Sequence, residues 1–168
     1  EFTYKQPGDG YTFMLGTQSL IMQDLQGNLS MDYRYEFIPV AKLVHSINII
    51  AGSKVALEAK GITNFAEAVE YAKANPFGLT VGMLTATGAD GASLKQALAG
   101  LDVLELSYGS GSEMSAGLMG GHIDMMITGT DEIQGLIESG DVIPLVACAE
   151  KRMNLYPDMQ CTGELGID

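Results

Sequence analysis

The sequence predicts an α/β fold in which helices cover a mainly parallel sheet. From residue 63 to residue 148, short apolar runs typical of strands alternate with segments of helical spacing. Hydrophobic residues make up 46% of the chain, which suits a packed globular core. Ligands of such sheets bind at the carboxyl ends of the strands, so the loops that follow the strands are the candidate site.

The elements of the first 51 residues are less regular. Residues 7–10, Pro-Gly-Asp-Gly, indicate a turn. Residues 11–15 then predict a strand, which closes at the small polar residues of 16–19. We interpret residues 20–29 as a short helix, and the apolar run 47–51 predicts a further strand.

After residue 62, most predicted strands are followed by a helix. Thr63 or Asn64 can cap a helix that ends before Pro76. Thr130 can cap the last of the regular helices, and Gly140 ends it. The predicted strands cover residues 80–84, 103–107, 123–128 and 142–148, and the helices between them cover 92–98, 110–120 and 130–140. Beyond residue 148 the pattern weakens, and residues 163–165 look like the start of one more helix.

The stretch 79–98 combines a strand, a Gly-rich turn and a helix, which is typical of an anion site. The first amides of a helix have no partner within the helix, and the helix dipole adds partial positive charge there. We therefore expect the amides of residues 87–91, with the hydroxyls of Thr85 and Thr87, to hold a carboxylate. The alternative is an ordinary strand-to-helix loop whose glycines serve only the turn.

The charge of the chain restricts its partners. Nine basic residues against 21 acidic ones give a net charge of −12. Nucleic acid and anionic membrane surfaces need a basic footprint, so this charge argues against both. A global field of this sign also repels an anionic ligand, so an anion site must depend on local backbone dipoles.

Patterns for catalysis or metal binding are missing from the sequence. The Gly-rich turn has no lysine of the phosphate-binding type, and neither G-x-G-x-x-G nor G-x-S-x-G occurs. His45 and His122 stand apart from any set of residues with ligand spacing, so we expect no metal and no cofactor. An enzyme that uses the same strand-end crevice is the alternative to a binding protein.

Asp124 and the two cysteines have structural interpretations. Asp124 lies inside a strand-like run, and we interpret it as a hydrogen-bonded structural carboxylate. Cys148 and Cys161 lack metal-ligand spacing. They can form a disulfide in an oxidising compartment, and two free buried thiols are the alternative.

Four short motifs are spread over nearly the whole chain. They are residues 8–12 (GDGYT) with 15–17 (LGT), 71–76 (YAKANP), 120–126 (GGHIDMM), and Lys151-Arg152 followed by 156–158 (YPD). Together they make the chain similar to the periplasmic substrate-binding proteins of tripartite tricarboxylate transporters, also called Bug receptors. The resemblance implies a periplasmic-binding-protein-like fold of type II, in which two α/β lobes close on a small organic anion.

The resemblance also implies how the chain divides. Residues 1–51 are expected to be a partial first lobe and crossover, 52–145 the complete second lobe, and 146–168 the return crossover with the start of the first lobe's C-terminal segment. In the family, a first strand is expected before Glu1 and a final helical region after Asp168. A first lobe without its opening strand leaves apolar surface uncovered, so we expect self-association through residues near 1–50 or 146–168.

Matching positions give the ligand contacts that the resemblance implies. They are Thr85, Ala86, Thr87 and Gly88 in the second lobe, Thr17, Gln18 and Ser19 in the first lobe, and Tyr108 and Asp131. The family usually has Lys-Gly after the tyrosine that matches Tyr108, whereas Gly109-Ser110 follow here, so any contact by that lysine is lost.

Two acidic residues depart from the family pattern. In the family, an acidic residue often follows the strand that begins with Asp. In this chain Thr128 occupies that position, and Asp131 comes later in the sequence. Asp90, at the Gly-rich loop, is also unusual for the family. Both departures could suit a ligand that has an amine as well as a carboxylate.

The resemblance implies a non-catalytic receptor without a cofactor. Such a receptor works in the periplasm, captures a small organic carboxylate, with an amino acid as one candidate, and delivers it to the membrane subunits of a secondary transporter. Two alternatives stay open, namely the α/β enzyme described above and a fragment that binds nothing because half of its cleft is absent.

Overall fold

The computed structural model describes residues 2–167, and the chain divides into two compact units, residues 1–45 and 46–168. The first unit contains α1 (Gln18–Leu25) and α2 (Tyr33–Glu36), with a 3-10 turn at Thr3–Lys5. The second unit contains β1 (Asn48–Ser53), α3 (Lys54–Glu58), α4 (Phe65–Ala74), β2 (Thr80–Met83), α5 (Ala89–Ala97), β3 (Leu104–Ser107), α6 (Gly111–Met119), β4 (Met125–Gly129), α7 (Thr130–Ser139), β5 (Val142–Ala147) and a 3-10 helix at Thr162–Leu165.

The five strands of residues 46–168 form one mixed sheet in the order β3-β2-β4-β1-β5. β2 pairs in parallel with β3 and with β4, whereas β1 pairs antiparallel with both of its neighbours, β4 and β5. Four strands therefore run in one direction and β1 runs against them. The α/β class and the mainly parallel sheet expected from the sequence are confirmed.

The helices of this unit begin and end where the sequence supplies caps. The side chain of Asn64 accepts a hydrogen bond from the amide of Glu67 at the start of α4. Gly140 ends α7 with a φ of 77°, a conformation that favours glycine. Two predicted starts are wrong by a few residues. α5 begins at Ala89 rather than 92, and Thr130 is the first residue of α7, whose N-cap is Gly129.

Two hydrophobic clusters lie on opposite faces of the sheet. Met125 and Ile127 of β4 belong to the cluster that contains the apolar faces of α4 and α5. Met126 lies between them in sequence and belongs to the cluster that contains Met114 of α6 and Ile133 of α7. Since successive strand side chains point to opposite faces, the sheet is covered by α4 and α5 on one side and by α6 and α7 on the other.

Asp124 joins the amino ends of β2 and β4. Asp124 is 5% exposed, and its side chain accepts hydrogen bonds from the amide and the hydroxyl of Thr80, at 2.8 Å and 2.9 Å. The ammonium of Lys60 also donates to this carboxylate. A buried carboxylate needs such partners, so the interpretation of Asp124 as a structural residue is confirmed.

Cys148 and Cys161 lie on different faces of the sheet. The backbone of Cys161 forms an isolated parallel β-bridge with Ala147, and Cys161 is buried in the cluster of α6 and α7. Cys148 follows Ala147 and packs against the opposite cluster. Both cysteines are free thiols and form no disulfide with each other, in agreement with the second alternative. Burial raises the pKa of the Cys148 thiol to about 11.

Residues 2–45 have short helices and no core of their own. None of these described residues is buried. The strand predicted over 11–15 is wrong, because that segment has no regular structure and no strand to pair with. The helix predicted over 20–29 is confirmed in part by α1. Within this unit, Arg34 Nε donates to Asp24 Oδ2 at 3.0 Å, and the rings of Tyr33 and Phe37 lie 5.3 Å apart.

The divisions predicted at 51/52 and 145/146 concern the lobes of a whole receptor and stay a prediction. In this chain β1 spans the first of these positions and β5 spans the second, and both strands belong to the one sheet. The helix start predicted at 163–165 is a 3-10 helix, Thr162–Leu165. Within residues 2–167, no helix combines the length and the apolar character that crossing a membrane requires.

Candidate functional site

Three helices begin at one edge of the sheet. The parallel strand β2 leads into α5 through residues 84–88, and β3 leads into α6 through residues 108–110. β4 leads into α7 directly at Gly129. Neighbouring parallel strands end at the same edge, so the three helix N-termini lie there together. Antiparallel β1 contributes its first residue to this edge, because Asn48 pairs with Gly129.

The loop between β2 and α5 folds back on the first turn of α5. The carbonyl of Thr85 accepts hydrogen bonds from the amides of Gly88 and Gly91, both at 3.3 Å. A Cβ atom at Gly91 would lie 2.1 Å from the carbonyl oxygen of Ala86, so glycine is required there. The loop is therefore built around its own backbone hydrogen bonds.

This geometry corrects the set of amides that we expected to hold a carboxylate. The amides of Gly88 and Gly91 are used inside the loop. The amides of Ala89 and Asp90 occupy first-turn positions that intrahelical hydrogen bonds do not reach. The N-cap residue of α5 is Gly88, which has no side chain to cap the helix. The donors at this helix start are therefore fewer than the sequence suggested.

Asp90 places a carboxylate in the same turn, and Asn48 holds it. Asn48 Nδ2 donates to Asp90 Oδ1 at 3.0 Å, which ties the start of β1 to the start of α5. Burial raises the pKa of the Asp90 carboxyl, the Asn48 hydrogen bond opposes this, and the charge of Glu132 adds to it. This carboxylate is therefore partly desolvated, fixed by one donor, and close to a second acid.

The first turn of α7 carries Asp131 and Glu132. The hydroxyl of Thr128 donates to Glu132 Oε2. A Cβ atom at position 129 would lie 2.7 Å from Asp131 Oδ1 and 3.2 Å from Ser46 Oγ. Because Gly129 has no Cβ, both side chains can approach the backbone there. Asp131, one of the predicted site residues, thus lies at the expected edge of the sheet.

The first turn of α6 is capped by its own side chains. Ser110 Oγ accepts from the amide of Glu113 at 3.2 Å, and Glu113 Oε2 accepts from the amide of Gly109 at 3.3 Å. With Asp90 in α5 and the two acids of α7, each of the three helices has an acid in its first turn. Such acids offset the positive ends of the helix dipoles.

Tyr108 follows β3 and packs on α6. Its amide donates to the carbonyl of Met83 at 2.9 Å, and a Cβ at Gly117 would lie 2.8 Å from its hydroxyl oxygen. Tyr108 is partly buried against the cluster of α6 and α7. Its ring therefore has a packing role at the edge where the site was predicted.

The structure gathers some of the predicted site residues. Thr85, Ala86, Thr87, Gly88, Tyr108 and Asp131 all lie on loops or helix starts at one edge of the sheet. Thr17 is the N-cap position of α1, and Gln18 and Ser19 open that helix, in the unit of residues 1–45. Sequence reasoning missed Asn48, because only the antiparallel direction of β1 brings it to this edge.

A family model and several solved structures match the chain. The model of the tripartite tricarboxylate transporter family receptors, TctC, matches residues 3–168. No curated protein matches the chain in sequence.

The solved structures include R. palustris Rpa4515 with adipate, at 24% identity and a TM-score of 0.75, covering 99% of this chain and 56% of that one. MatC (Rpa3494) from Rhodopseudomonas palustris with bound malate is 21% identical with a TM-score of 0.69, covering 90% and 51%. A TctC solute binding protein from Polaromonas is 19% identical with a TM-score of 0.74, covering 89% and 51%. These likenesses show the fold, and this chain spans about half the length of those proteins.

Proposed function

Because the chain belongs to the tripartite tricarboxylate transporter receptor family, we propose that it is a periplasmic receptor for a small organic carboxylate, which it delivers to the membrane subunits of such a transporter. The observation that carries this proposal is the edge of the sheet at which α5, α6 and α7 all begin. The family is one of solute receptors, and we propose no catalytic step for this chain.

The proposed carboxylate contacts are neutral donors at the start of α5. They are the amides of Ala89 and Asp90 and the hydroxyls of Thr85 and Thr87. A carboxylate accepts such bonds as charge-assisted hydrogen bonds, each worth roughly 1.5 to 3 kcal/mol. Neutral donors are needed because residues 96–150, which form β3, α6, β4, α7 and β5, contain no Lys or Arg.

The other predicted contacts belong to the same proposal. Ala86 and Gly88 let a ligand approach the loop backbone, and Tyr108 and Asp131 flank the loop on neighbouring strand ends. Ligand contact by Thr17, Gln18 and Ser19, which lie in the first unit, stays a prediction from the family resemblance. Two solved relatives hold adipate and malate, which supports a dicarboxylate as the class of ligand.

Titration calorimetry of the chain with adipate and with L-malate tests this proposal. We expect Thr87→Ala to weaken binding about tenfold, the equivalent of one charge-assisted hydrogen bond. Gly88→Val is expected to abolish binding by blocking the approach to the backbone. Raising the salt concentration is expected to change affinity little, because dipoles at contact distance are poorly screened.

The control is Thr12→Ala, which removes an exposed hydroxyl outside both predicted loops and should leave affinity unchanged. Valine at position 88 would also press on Thr85, whose Cβ lies 3.3 Å from the position of the added carbon. A thermal unfolding curve must therefore show that this variant folds. Unchanged affinity in folded Thr87→Ala and Gly88→Val would place the carboxylate elsewhere. No binding of either probe would contradict ligand capture by this chain and would favour the alternative of a fragment that binds nothing.

A further inference from the structure

We propose that the free edge of β3 binds an extended segment of another protein, one in which apolar and basic residues alternate. This surface lies outside the candidate ligand site, and its use does not depend on the proposed function. β3 is the end strand of the sheet, and β2 is its one neighbour among the described residues. All four residues of β3 are exposed, whereas β5 at the other end of the sheet is largely buried.

The backbone of β3 leaves hydrogen-bonding groups open at this edge. The amide of Leu104 donates to the carbonyl of Leu79 at 2.8 Å, on the side of β2. Because successive amides of a strand point to opposite sides, those of Glu105 and Ser107 point away from β2. Open groups of this kind are a template for a further strand, and an extended peptide from a partner can supply it.

The side chains of β3 determine which strand fits. Strand side chains alternate between faces, so Leu104 and Leu106 lie on one face of the edge and Glu105 lies on the other. Leu104 is 45% exposed and Leu106 is 36% exposed. The Glu105 side chain has no hydrogen bond or ion pair within residues 2–167. A strand that presents apolar residues to the leucines and a cation to the glutamate therefore complements both faces.

The charges around β3 favour a basic partner over a second copy of the chain. The stretch 96–150, which contains β3 and the next helix α6, has nine acidic residues and no Lys or Arg. Asp102, directly before β3, is exposed, and its side chain has no partner among the described residues. A second copy would bring Glu105 near the same acids again, and each copy has a net charge of −12.

Phe77 lies beside the start of β3 in a backbone conformation that favours glycine. Its φ is 59°, which is costly for a bulky residue, and it is 62% exposed. Its amide donates to the carbonyl of Asp102 at 2.8 Å. Gly78 keeps the turn tight, because a Cβ there would lie 2.8 Å from the carbonyl oxygen of Asn75. The fold thus holds an aromatic ring in solvent next to β3 at an energetic cost, which points to a contact with a partner.

Short labelled peptides test this surface by fluorescence anisotropy on the whole chain, at concentrations at which sedimentation shows a monomer. In the probe, valine and lysine alternate over about eight residues, and in its counterpart valine and glutamate alternate. We expect the lysine peptide to bind roughly tenfold more tightly, because the unpaired charges of this edge are acidic. Methylation of the peptide nitrogens that face β3 should abolish binding, since it removes the donors of the new strand pair.

Two variants place the contact on this edge. Glu105→Lys should reverse the preference between the two peptides. Glu58→Lys is the matched control, because it makes the same change at an exposed residue of α3, which follows a strand that does not neighbour β3. Phe77→Gly should weaken binding of the lysine peptide several-fold and yet raise the midpoint of thermal unfolding, since glycine adopts the positive φ at little cost.

The outcomes that count against this surface are distinct. Equal binding of the two peptides, or a lysine preference that survives Glu105→Lys, would overturn the proposed contact. Binding that tolerates the methylated nitrogens would also overturn it, because charge alone would then explain the preference. Failure of the lysine peptide to bind would leave Glu105 as a guard against strand pairing. If Glu105→Gln then made the chain self-associate, the occupant of the edge would be a second copy.

Discussion

Residues 46–168 and residues 2–45 differ in how far their apolar side chains are buried. In the first region, Ile50 and Ile127 are fully buried, and two clusters fill the space between the sheet and its helices. In the second region, Phe13, Ile38 and Val40 are 67%, 89% and 74% exposed. Both regions are rich in apolar residues, but only the first has elements that cover one another.

This difference shows that an apolar pattern in the sequence forms a stable helix or strand only where another element packs against it. Most stability of a short helix comes from packing of its apolar face, and a strand needs a neighbouring strand. α1 and α2 contain no buried residue, so residues 2–45 provide no core for them. Large exposed apolar surfaces are sites of association or aggregation.

The largest expected effect is the loss of self-association when residues 1–45 are removed. The whole chain should associate in a concentration-dependent way, because that region carries most of the large apolar side chains that are exposed. Residues 46–168 alone should stay monomeric, since their core is complete and most of the net negative charge lies there. Sedimentation velocity of both proteins over a range of concentrations measures this difference.

A circular dichroism melt is the control, because residues 46–168 must keep a cooperative transition for the comparison to hold. A whole chain that is monodisperse and monomeric at high concentration would contradict the prediction. Self-association of residues 46–168 alone would instead place the contact on β3, whose residues are all exposed, or on 146–168.

The next largest effect is expected from Asp124→Ala. The change leaves the Thr80 amide and the Lys60 ammonium without their acceptor at the amino ends of β2 and β4. We expect a loss of roughly 2 to 4 kcal/mol in the free energy of unfolding, below that of a fully buried pair because Lys60 reaches water. Urea denaturation followed by circular dichroism measures the change.

Asp24→Ala is the matched control in the other region, since it removes the nearer of the two acids that pair with Arg34. Because this pair lies in a segment without a core, the main unfolding transition should not move. A shift as large as that of Asp124→Ala would show that residues 2–45 unfold together with the sheet and would end the distinction between the two regions.

The sequence predicted what local chemistry decides, and it missed what distant residues decide. Asn64 caps α4 and Gly140 ends α7 as expected, because caps depend on residues within one turn. The strand predicted over 11–15 failed because a strand needs a partner from elsewhere in the chain. The pair of Asn48 and Asp90 could not be predicted, because it depends on the antiparallel direction of β1.

The smallest expected effect compares two helical glycines of residues 46–168. Gly91 is buried, and a Cβ there would meet the backbone of Ala86, with 2.1 Å to its carbonyl oxygen. Gly91→Ala should therefore lower the free energy of unfolding by roughly 1 to 3 kcal/mol through overpacking. It should also weaken dicarboxylate binding, because the loop between β2 and α5 must open to admit the methyl group.

Gly135 is the control, because it lies in α7, is exposed, and has nothing within 4 Å of an added Cβ. Alanine has the higher helix propensity, so Gly135→Ala should raise the free energy of unfolding by about 1 kcal/mol. The two substitutions are chemically identical and should have opposite signs in urea denaturation. If Gly91→Ala were also stabilising, the loop would not be folded tightly on α5, and the Ala89 and Asp90 amides would lose the fixed geometry on which the proposed carboxylate site depends.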